Sequence, residues 1–198
     1  CRIKRLVDIV FSFIGLILLS PLFLIISLLI FLTSKGGVFY CQKRVGKNDR
    51  EFTLFKFRTM RLNADIHGRL KVGERDSRIT TIGYYLRKYK LDELPQLINV
   101  FYGSMSIVGP RPEVREYVNL YNEEQKEILL LKPGLTDYAS LEYFNENELL
   151  AHARDPNLAY VNEIMPAKIK LNQKYIKEKS LLTDFKIMIA TIRKVFSS

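Results

Sequence analysis

Ile9–Leu32, IVFSFIGLILLSPLFLIISLLIFL, runs 24 residues without a charge. As a straight helix it would be roughly 36 Å long at about 1.5 Å per residue, enough to cross a hydrocarbon layer of roughly 30 Å. A single spanning helix is therefore one expectation. Two features favour another. Ser20-Pro21 stands in the middle, and a proline inside a helix has no N–H to give to the carbonyl four residues back and clashes with it. The Ser20 hydroxyl is placed to bond a carbonyl one turn back, satisfying a group that lipid cannot. Basic residues also flank both ends, with Arg2, Lys4 and Arg5 before the run and Lys35, Lys43, Arg44 and Lys47 after it. Lys and Arg are enriched on the cytoplasmic side of membrane segments, so both ends belong on one side. The favoured expectation is a bent, re-entrant helix that enters one leaflet and returns. A cleaved signal peptide ranks below both, because the apolar part is too long and no small-x-small site closes it. The chain opens on Cys1 where an initiator methionine is expected, the mark of a start inside a longer chain or of processing.

The expected division is a membrane segment over 1–35 and one modest catalytic or binding domain over 36–198. Lys and Arg number 31 against 21 Asp and Glu, a net charge of +10 that draws the chain toward anions. Beside a lipid-embedded helix, headgroups and phosphate esters rank above nucleic acid. The cysteines, Cys1 and Cys41, make no pair or metal spacing, and two histidines, His67 and His152, are too few for a zinc site.

Residues 38–60, VFYCQKRVGKNDREFTLFKFRTM, put aromatic and β-branched residues on both sides of Gly46-Lys47-Asn48-Asp49, which predicts a hairpin. Residues 61–79 read as a loop or short helix. Helical patterns follow at Ile82–Lys90, from Leu91 to about Phe101, and over Glu113–Leu131 with a break at Asn119–Asn122. Gly103–Val108 is extended, Lys132-Pro133-Gly134 breaks the chain, and Tyr138–Pro156 is mixed. Tyr160–Tyr175 and Leu181–Phe196 are helical. In the latter, Leu181, Leu182, Phe185, Met188, Ile189, Ile192 and Phe196 form an apolar stripe opposite Asp184, Lys186, Arg193 and Lys194. Such a stripe packs into a core or lies at a lipid interface.

Asp92-Glu93 is the most suggestive acidic pair. Adjacent helical residues point roughly 100° apart, so these carboxylates cannot oppose each other across one bond. They can divide the work, one attacking and the other holding a metal. Asp92 also reads as a helix N-cap, with Pro95 in the first turn. Arg111 lies between Pro110 and Pro112, which hold it in a stiff, extended loop where its guanidinium suits a phosphate or carboxylate, or simply decorates a surface turn. Lys56 and Arg58 share a strand face at period two, with Arg61 following, and either line a diphosphate site or form a solvated face. No GxxxxGK[ST], GxGxxG, HExxH or GxSxG occurs, so nucleotide hydrolysis, dinucleotide redox chemistry and serine hydrolysis have no support.

Taken in order, RIKRLVDIVFSFIGLILLSPLFLI, QKRVGKNDREFTLFKFRTM, LRKYKLDELPQLINVFYGSMSIVGPRP, KPGLT and DFKIMIATIRKVF resemble the small monotopic polyprenyl-phosphate phosphoglycosyl transferases, the bacterial sugar transferases that start glycan assembly. The resemblance covers nearly the whole chain, and the combination of KFRTM, LDELPQL and SIVGPRP behind a Ser-Pro apolar helix is highly specific. It implies a mainly α monotopic membrane protein with a small β-hairpin. Its re-entrant membrane helix would be kinked at Ser20-Pro21, with amphipathic interfacial helices beside it, on the cytoplasmic face of the bacterial inner membrane. It further implies that Asp92 is the nucleophile and that Glu93, with Asp92, holds Mg²⁺. The implied reaction moves a phosphosugar from a UDP-sugar to undecaprenyl phosphate, with release of UMP, as the first membrane step of polysaccharide assembly. Lys56, Arg58 and Arg111 match phosphate-binding positions, and Arg87 stands just before the acidic pair to support it. The partners so implied are the two substrates and inner-leaflet lipid, with a second copy of the chain admitted and nucleic acid not. The chain departs from many members after KPGLT, where Asp137-Tyr138-Ala139-Ser140-Leu141-Glu142 replaces a Gly-Trp-Ala-Gln-type stretch. That stretch bears on sugar recognition and not on the reaction class. Two other classes stand against the enzyme: an inactive membrane-anchored scaffold, and a protein that only binds anionic lipid or nucleic acid.

Overall fold

The computed structural model describes residues 2–62 and 78–197. His67, the interior of the loop or short helix expected over 61–79, and Cys1 lie outside the described residues, as does the side chain of Phe196. The ends of that loop are held together, since Met60 bridges Ile79 and the Arg61 N–H donates to the Arg78 carbonyl at 2.9 Å.

The uncharged stretch forms two helices, α1 (Arg2–Leu18) and α2 (Ser20–Thr33), bent by 60° at Leu19. Proline explains the place of the bend, because Pro21 occupies the first turn of α2, where its missing N–H has no helical partner to lose. As expected, the Ser20 hydroxyl donates to the Ile17 carbonyl, at 2.8 Å. Among the described residues no single helix is long and apolar enough to cross a membrane, and the bent pair meets that test only together.

Polarity along α1 is reversed relative to a soluble helix. Asp8 and Ser12 are buried, whereas Leu6, Phe13, Ile17 and Leu18 are exposed. Asp8 accepts from the Ser106 hydroxyl and the Ile107 N–H, both at 3.0 Å, and Ser12 returns its hydroxyl to the Asp8 carbonyl. Arg5 donates to the carbonyls of Val100 and Phe101 at 2.6 and 2.7 Å. α1 is thus pinned by polar side chains to α4 (Gln96–Tyr102) and β3 (Ser106–Val108), while its apolar face looks outward.

The expected hairpin is β1 (Phe39–Val45) paired antiparallel with β2 (Glu51–Phe57), with Cys41 opposite Phe55. Asn48 and Asp49 take the left-handed backbone of its turn, which short polar side chains tolerate best. α3 (Thr81–Lys88) and a 3-10 turn at Leu91–Glu93 lead into α4. β3 is extended as predicted, but its partner was not foreseen: the chain-breaking Lys132-Pro133-Gly134 runs directly into β4 (Gly134–Thr136), parallel to β3. Three residues are too few to show a strand period, so this pairing had no readable signal.

The expected break near Asn119–Asn122 separates α5 (Arg115–Val118) from α6 (Glu123–Lys126). Beyond β4 come α7 (Tyr138–Glu142), α8 (Glu146–Ala151), α9 (Pro156–Ala159), and then α10 (Met165–Glu178), joined to α9 by a π-turn at Tyr160–Ile164. The chain ends in α11 (Leu181–Phe196).

On α11 the structure corrects the two faces. Leu181, Leu182, Phe185, Ile189 and Ile192 are exposed, so that stripe is not core, and Ile187 is the buried apolar residue. Asp184, expected among the solvated charges, is buried and takes the Lys4 ammonium and the Tyr175 hydroxyl, each at 2.5 Å. Phe11 of α1 meets Phe185 of α11 edge to face, with ring centroids 6.3 Å apart, so the outward faces of the two helices join.

Replacing Asp8 by Ala strands the Ser106 hydroxyl and the Ile107 N–H in a buried site, at about 2–3 kcal/mol. In detergent, thermal denaturation of Asp8→Ala should fall by about 5–10 °C, and Asp8→Asn, which keeps an acceptor oxygen, should lose less. A midpoint unchanged in Asp8→Ala would show that α1 is not held by this carboxylate.

Candidate active site

The site is built on the turn between α3 and α4. α3 begins at Thr80, whose hydroxyl accepts from the Gly83 N–H at 2.9 Å, and it ends where Lys90 takes left-handed backbone, φ 56°. That conformation costs a non-glycine residue roughly 1 kcal/mol or more. The Lys90 ammonium is held by the Phe144 carbonyl at 3.2 Å and over the Phe144 ring at 4.9 Å. The chain then reverses through Leu91-Asp92-Glu93. Leu91 and Leu94, on either side of the acidic pair, pack with Ile26 and Ile30 of α2 and with Phe57 and Leu86. Burying a leucine contributes about 1.5–3 kcal/mol, so the acidic turn is seated on the second arm of the apolar hairpin by its own flanks.

Asp92 does not cap α4. The cap position belongs to Pro95, with no side-chain bond, and Asp92 lies buried inside the 3-10 turn.

Glu93 is the meeting point of three distant segments. Its carboxylate accepts from Lys56 Nζ at 2.8 Å, from Arg111 Nη1 at 3.1 Å, and from Arg111 Nη2. Burial alone would push this carboxyl up, but the charges and hydrogen bonds of Arg111 and Lys56 hold it well below the usual carboxylate range. In return Glu93 raises the Arg111 guanidinium further above its ordinary value against the effect of burial. Lys90 is pushed down, chiefly by burial and despite Glu93 nearby.

The loop that carries Arg111 is fixed on both sides. Gly109 and Gly134 leave no room for side chains: a Cβ on Gly134 would strike the Gly109 backbone, and one on Gly109 would strike the Lys132 carbonyl. Gly109 N–H donates to Thr136 O at 3.0 Å and Gly134 N–H to Pro110 O at 2.9 Å. The Arg111 N–H donates to Asp137 Oδ2 at 3.2 Å, and the other oxygen of Asp137 caps α7 through the Ser140 N–H at 2.7 Å. Asp137 is thus a buried brace behind Arg111. Glu113, two residues on, accepts from the Tyr160 hydroxyl and faces Arg44 at 3.5 Å and Lys168 at 3.6 Å. Lys168 in turn holds Glu146 at 2.9 Å.

The structure therefore brings together Lys56, Glu93 and Arg111, with Asp92 in the same turn. Arg87 is adjacent to that turn in chain order and donates to the Thr59 hydroxyl at 2.8 Å, binding α3 to the segment that follows β2. Arg58 is directed elsewhere, to the carbonyls of Gly37 and Phe39 at 2.9 and 3.2 Å, where it closes the link between α2 and β1. Sequence reasoning missed Lys90, although its charge two residues before the acidic pair was a usable signal. It also missed Asp137, Glu113 and Lys168, which no spacing reveals. Among the described residues no three acids, histidines or cysteines cluster as a ready metal cage. Hard carboxylate oxygens on Asp92 and Glu93 still fit Mg²⁺, which takes one or two carboxylates and completes its shell with substrate phosphate and water.

Glu93→Gln would leave Lys56 and Arg111 without their counter-charge and should cost about 2–4 kcal/mol near neutral pH. Because the Glu93 carboxyl is lowered in the folded protein, its contribution is present above the unfolded carboxylate value of about 4.3. It declines as pH falls below that value and is gone once pH passes the lowered folded one. The stability gap between the parent and Glu93→Gln, followed by thermal denaturation, should therefore narrow steadily as pH falls below about 4.3; a gap independent of pH would refute the charge pairing.

The sequence pattern of the family described as bacterial sugar transferase matches residues 1–198. A UDP-N-acetylgalactosamine-undecaprenyl-phosphate N-acetylgalactosaminephosphotransferase of Aeromonas hydrophila is 36% identical over 98% of this chain and 44% of its own. A UDP-glucose:undecaprenyl-phosphate glucose-1-phosphate transferase of Xanthomonas campestris pv. campestris is 37% identical over 97% of this chain and 38% of its own. The exopolysaccharide production protein ExoY of Rhizobium meliloti (strain 1021) is 33% identical over 97% of this chain and 84% of its own. The chain thus spans less than half of the first two proteins and most of the third. From the match over its full length, with KFRTM, LDELP and GPRP gathered at Glu93, the chain belongs to the bacterial sugar transferase family.

Proposed function

We propose that this protein moves a sugar 1-phosphate from a UDP-sugar to undecaprenyl phosphate by double displacement at Asp92. The observation that carries the proposal is the convergence of Lys56, Arg111 and the Asp92-Glu93 turn, seated on the membrane-type hairpin. The names of the Aeromonas and Xanthomonas relatives supply the substrate class.

A carboxylate that approaches a diphosphate meets strong like-charge repulsion, so fixed cations must surround the phosphate oxygens. Lys56, Lys90 and Arg111 supply them, and Glu93 keeps two of the three in place. An Asp92 oxygen attacks the sugar-bearing phosphorus. The P–O bond to the nucleotide breaks with its electron pair leaving on UMP, and an acyl phosphate of the sugar remains on Asp92. An oxygen of undecaprenyl phosphate then attacks the same phosphorus, the bond to Asp92 breaks, and the carboxylate is restored. A carboxylate nucleophile carries no proton to remove, so the first step as proposed uses no base. Mg²⁺ held by Asp92 and Glu93 would neutralise phosphate oxygens and ease departure of UMP.

The outward apolar faces of α1, α2 and α11 support a monotopic seat in the cytoplasmic leaflet, with residues 1–35 dipping in and 36–198 forming the catalytic domain on its surface. Such a seat lets a soluble nucleotide and a prenyl phosphate reach one headgroup-level turn.

Asp92→Asn should lower UMP release in the presence of Mg²⁺, a UDP-sugar and undecaprenyl phosphate by at least about a thousandfold, with an unchanged far-ultraviolet circular dichroism spectrum. Donor-treated parent protein should carry a hexose-phosphate adduct on Asp92. Turnover retained in Asp92→Asn would remove that residue as nucleophile, and binding without any turnover in the parent would favour a scaffold. For the topology, Cys41 and a cysteine introduced as Arg2→Cys, each alone in the chain, should react with an impermeant maleimide from the same face of sealed vesicles. Labelling from opposite faces would replace the re-entrant seat by a spanning helix.

A further inference from the structure

Away from Glu93, a cavity of about 390 Å³ lies between the start of α1, β3, the segment before β4 and the start of α11. That is within the range of roughly 300–1,000 Å³ for small-ligand pockets. Its lining includes Lys4, Arg5, Lys47, Lys132 and Lys179, whereas its acids are Asp8 and Asp184 alone, and none of Lys56, Lys90, Asp92, Glu93 or Arg111 takes part. Both acids already have partners. Asp8 accepts from Ser106 and the Ile107 N–H, and Asp184 from Lys4 and Tyr175. Arg5 is bound to neutral carbonyls, and among the described residues no carboxylate pairs with Lys47, Lys132 or Lys179. The cavity therefore carries unbalanced positive charge. Burial pushes the Lys132 amine down, and Arg5 and Lys47 push it further against the pull of Asp8, which is the strain that a bound anion relieves.

The wall is two-sided in character. Leu130, Leu131 and Leu181 line it beside the cations, and Leu181 adjoins the exposed Leu182 and Phe185 of the outward stripe on α11. Ile3 and Leu6, which flank Lys4 and Arg5, are exposed as well. A ligand that fits has a phosphate oxyanion beside the lysines and acyl chains continuing along the apolar faces of α1 and α11.

We infer that this cavity binds the headgroup of an anionic phospholipid, separately from the substrates that meet at Asp92. The contact fixes the start of α1 and the start of α11 at headgroup level and sets how deep the hairpin sits.

The test uses the full chain in a neutral detergent, titrated with short-chain phosphatidylglycerol, short-chain phosphatidylcholine or inorganic phosphate and followed by phosphorus NMR line broadening. Phosphatidylglycerol should bind, and the double variant Lys132→Gln/Lys179→Gln should weaken it roughly 10- to 30-fold. Lys170→Gln/Lys177→Gln, which removes the same charge from exposed positions of α10, should leave it within about twofold. Equal weakening in both pairs, or phosphatidylcholine binding as tightly, would overturn the inference. Inorganic phosphate binding as tightly as phosphatidylglycerol would assign the cavity to a soluble anion and overturn the lipid assignment. Should the first pair lose its fold, Lys47→Gln at the exposed hairpin turn takes its place: several-fold weakening supports the inference and unchanged binding overturns it. The same titration in Asp92→Asn should match the parent, which keeps the result distinct from the outcome of the catalytic proposal.

Discussion

Glu93 is buried between an ammonium and a guanidinium, and that charge balance ties together three parts of the chain that are remote in sequence. Removing three ions from water costs several kcal/mol per ion, which offsets most of the attraction between them. The cluster's main product is placement. Lys56 comes from a strand, Glu93 from a strained turn and Arg111 from a loop between prolines, and none of these segments would hold its charged group in a fixed position alone. A bidentate guanidinium–carboxylate pair sets orientation as well as distance, so a lysine at position 111 would restore charge but not geometry.

The second organising fact is the reversed polarity of α1. A helix in water hides its apolar stripe, whereas α1 hides Asp8 and Ser12 and turns Leu6, Phe13, Ile17 and Leu18 outward. Where the surroundings are lipid, outward leucines lose nothing and a buried aspartate bonded to Ser106 and Ile107 gives the helix a defined register on β3. α2 differs from α1. It meets the rest of the protein through Ile26 and Ile30, so the proline bend separates an arm fixed by polar bonds from an arm fixed by apolar packing. The acidic turn rests on the second arm and β3 on the first.

Much of this was legible in the sequence. Ser20-Pro21 announced both the bend and the hydroxyl that repairs it, and alternating aromatics around Gly46–Asp49 announced the hairpin. The chemistry-bearing residues were legible one at a time, because an isolated acidic pair, a proline-locked arginine and a strand lysine are each local patterns. Their meeting was not, since the distance from Lys56 to Glu93 in the chain carries no period. The same limit hid β4, whose three residues are strand only because β3 lies beside them. It also hid the polarity of α11: periodicity finds two faces but does not tell which one meets protein, and Asp184 turned inward because Lys4 and Tyr175 were there to receive it. Arg58 shows the converse error. Two cations at period two looked equivalent, yet the strand ends at Phe57, and one step past it the backbone carbonyls of Gly37 and Phe39 capture the guanidinium.

One short segment joins the candidate active site to the basic cavity. Gly109 lines the cavity, and Arg111, two residues later, holds Glu93. Between them Pro110 fixes its own φ, and Pro112 restricts Arg111 from the other side. Gly109 cannot shift without Gly134, because their backbones are in close contact and the two segments are tied by Gly109 N–H to Thr136 O and Gly134 N–H to Pro110 O. Arg111 cannot shift without Asp137, which caps α7. A stiff connector of this kind transmits position and little else. Under the proposed membrane seat, whatever sets the depth of α1 and β3 therefore also sets the height of the Arg111 guanidinium, which keeps the cationic end of the site in register with headgroup phosphates.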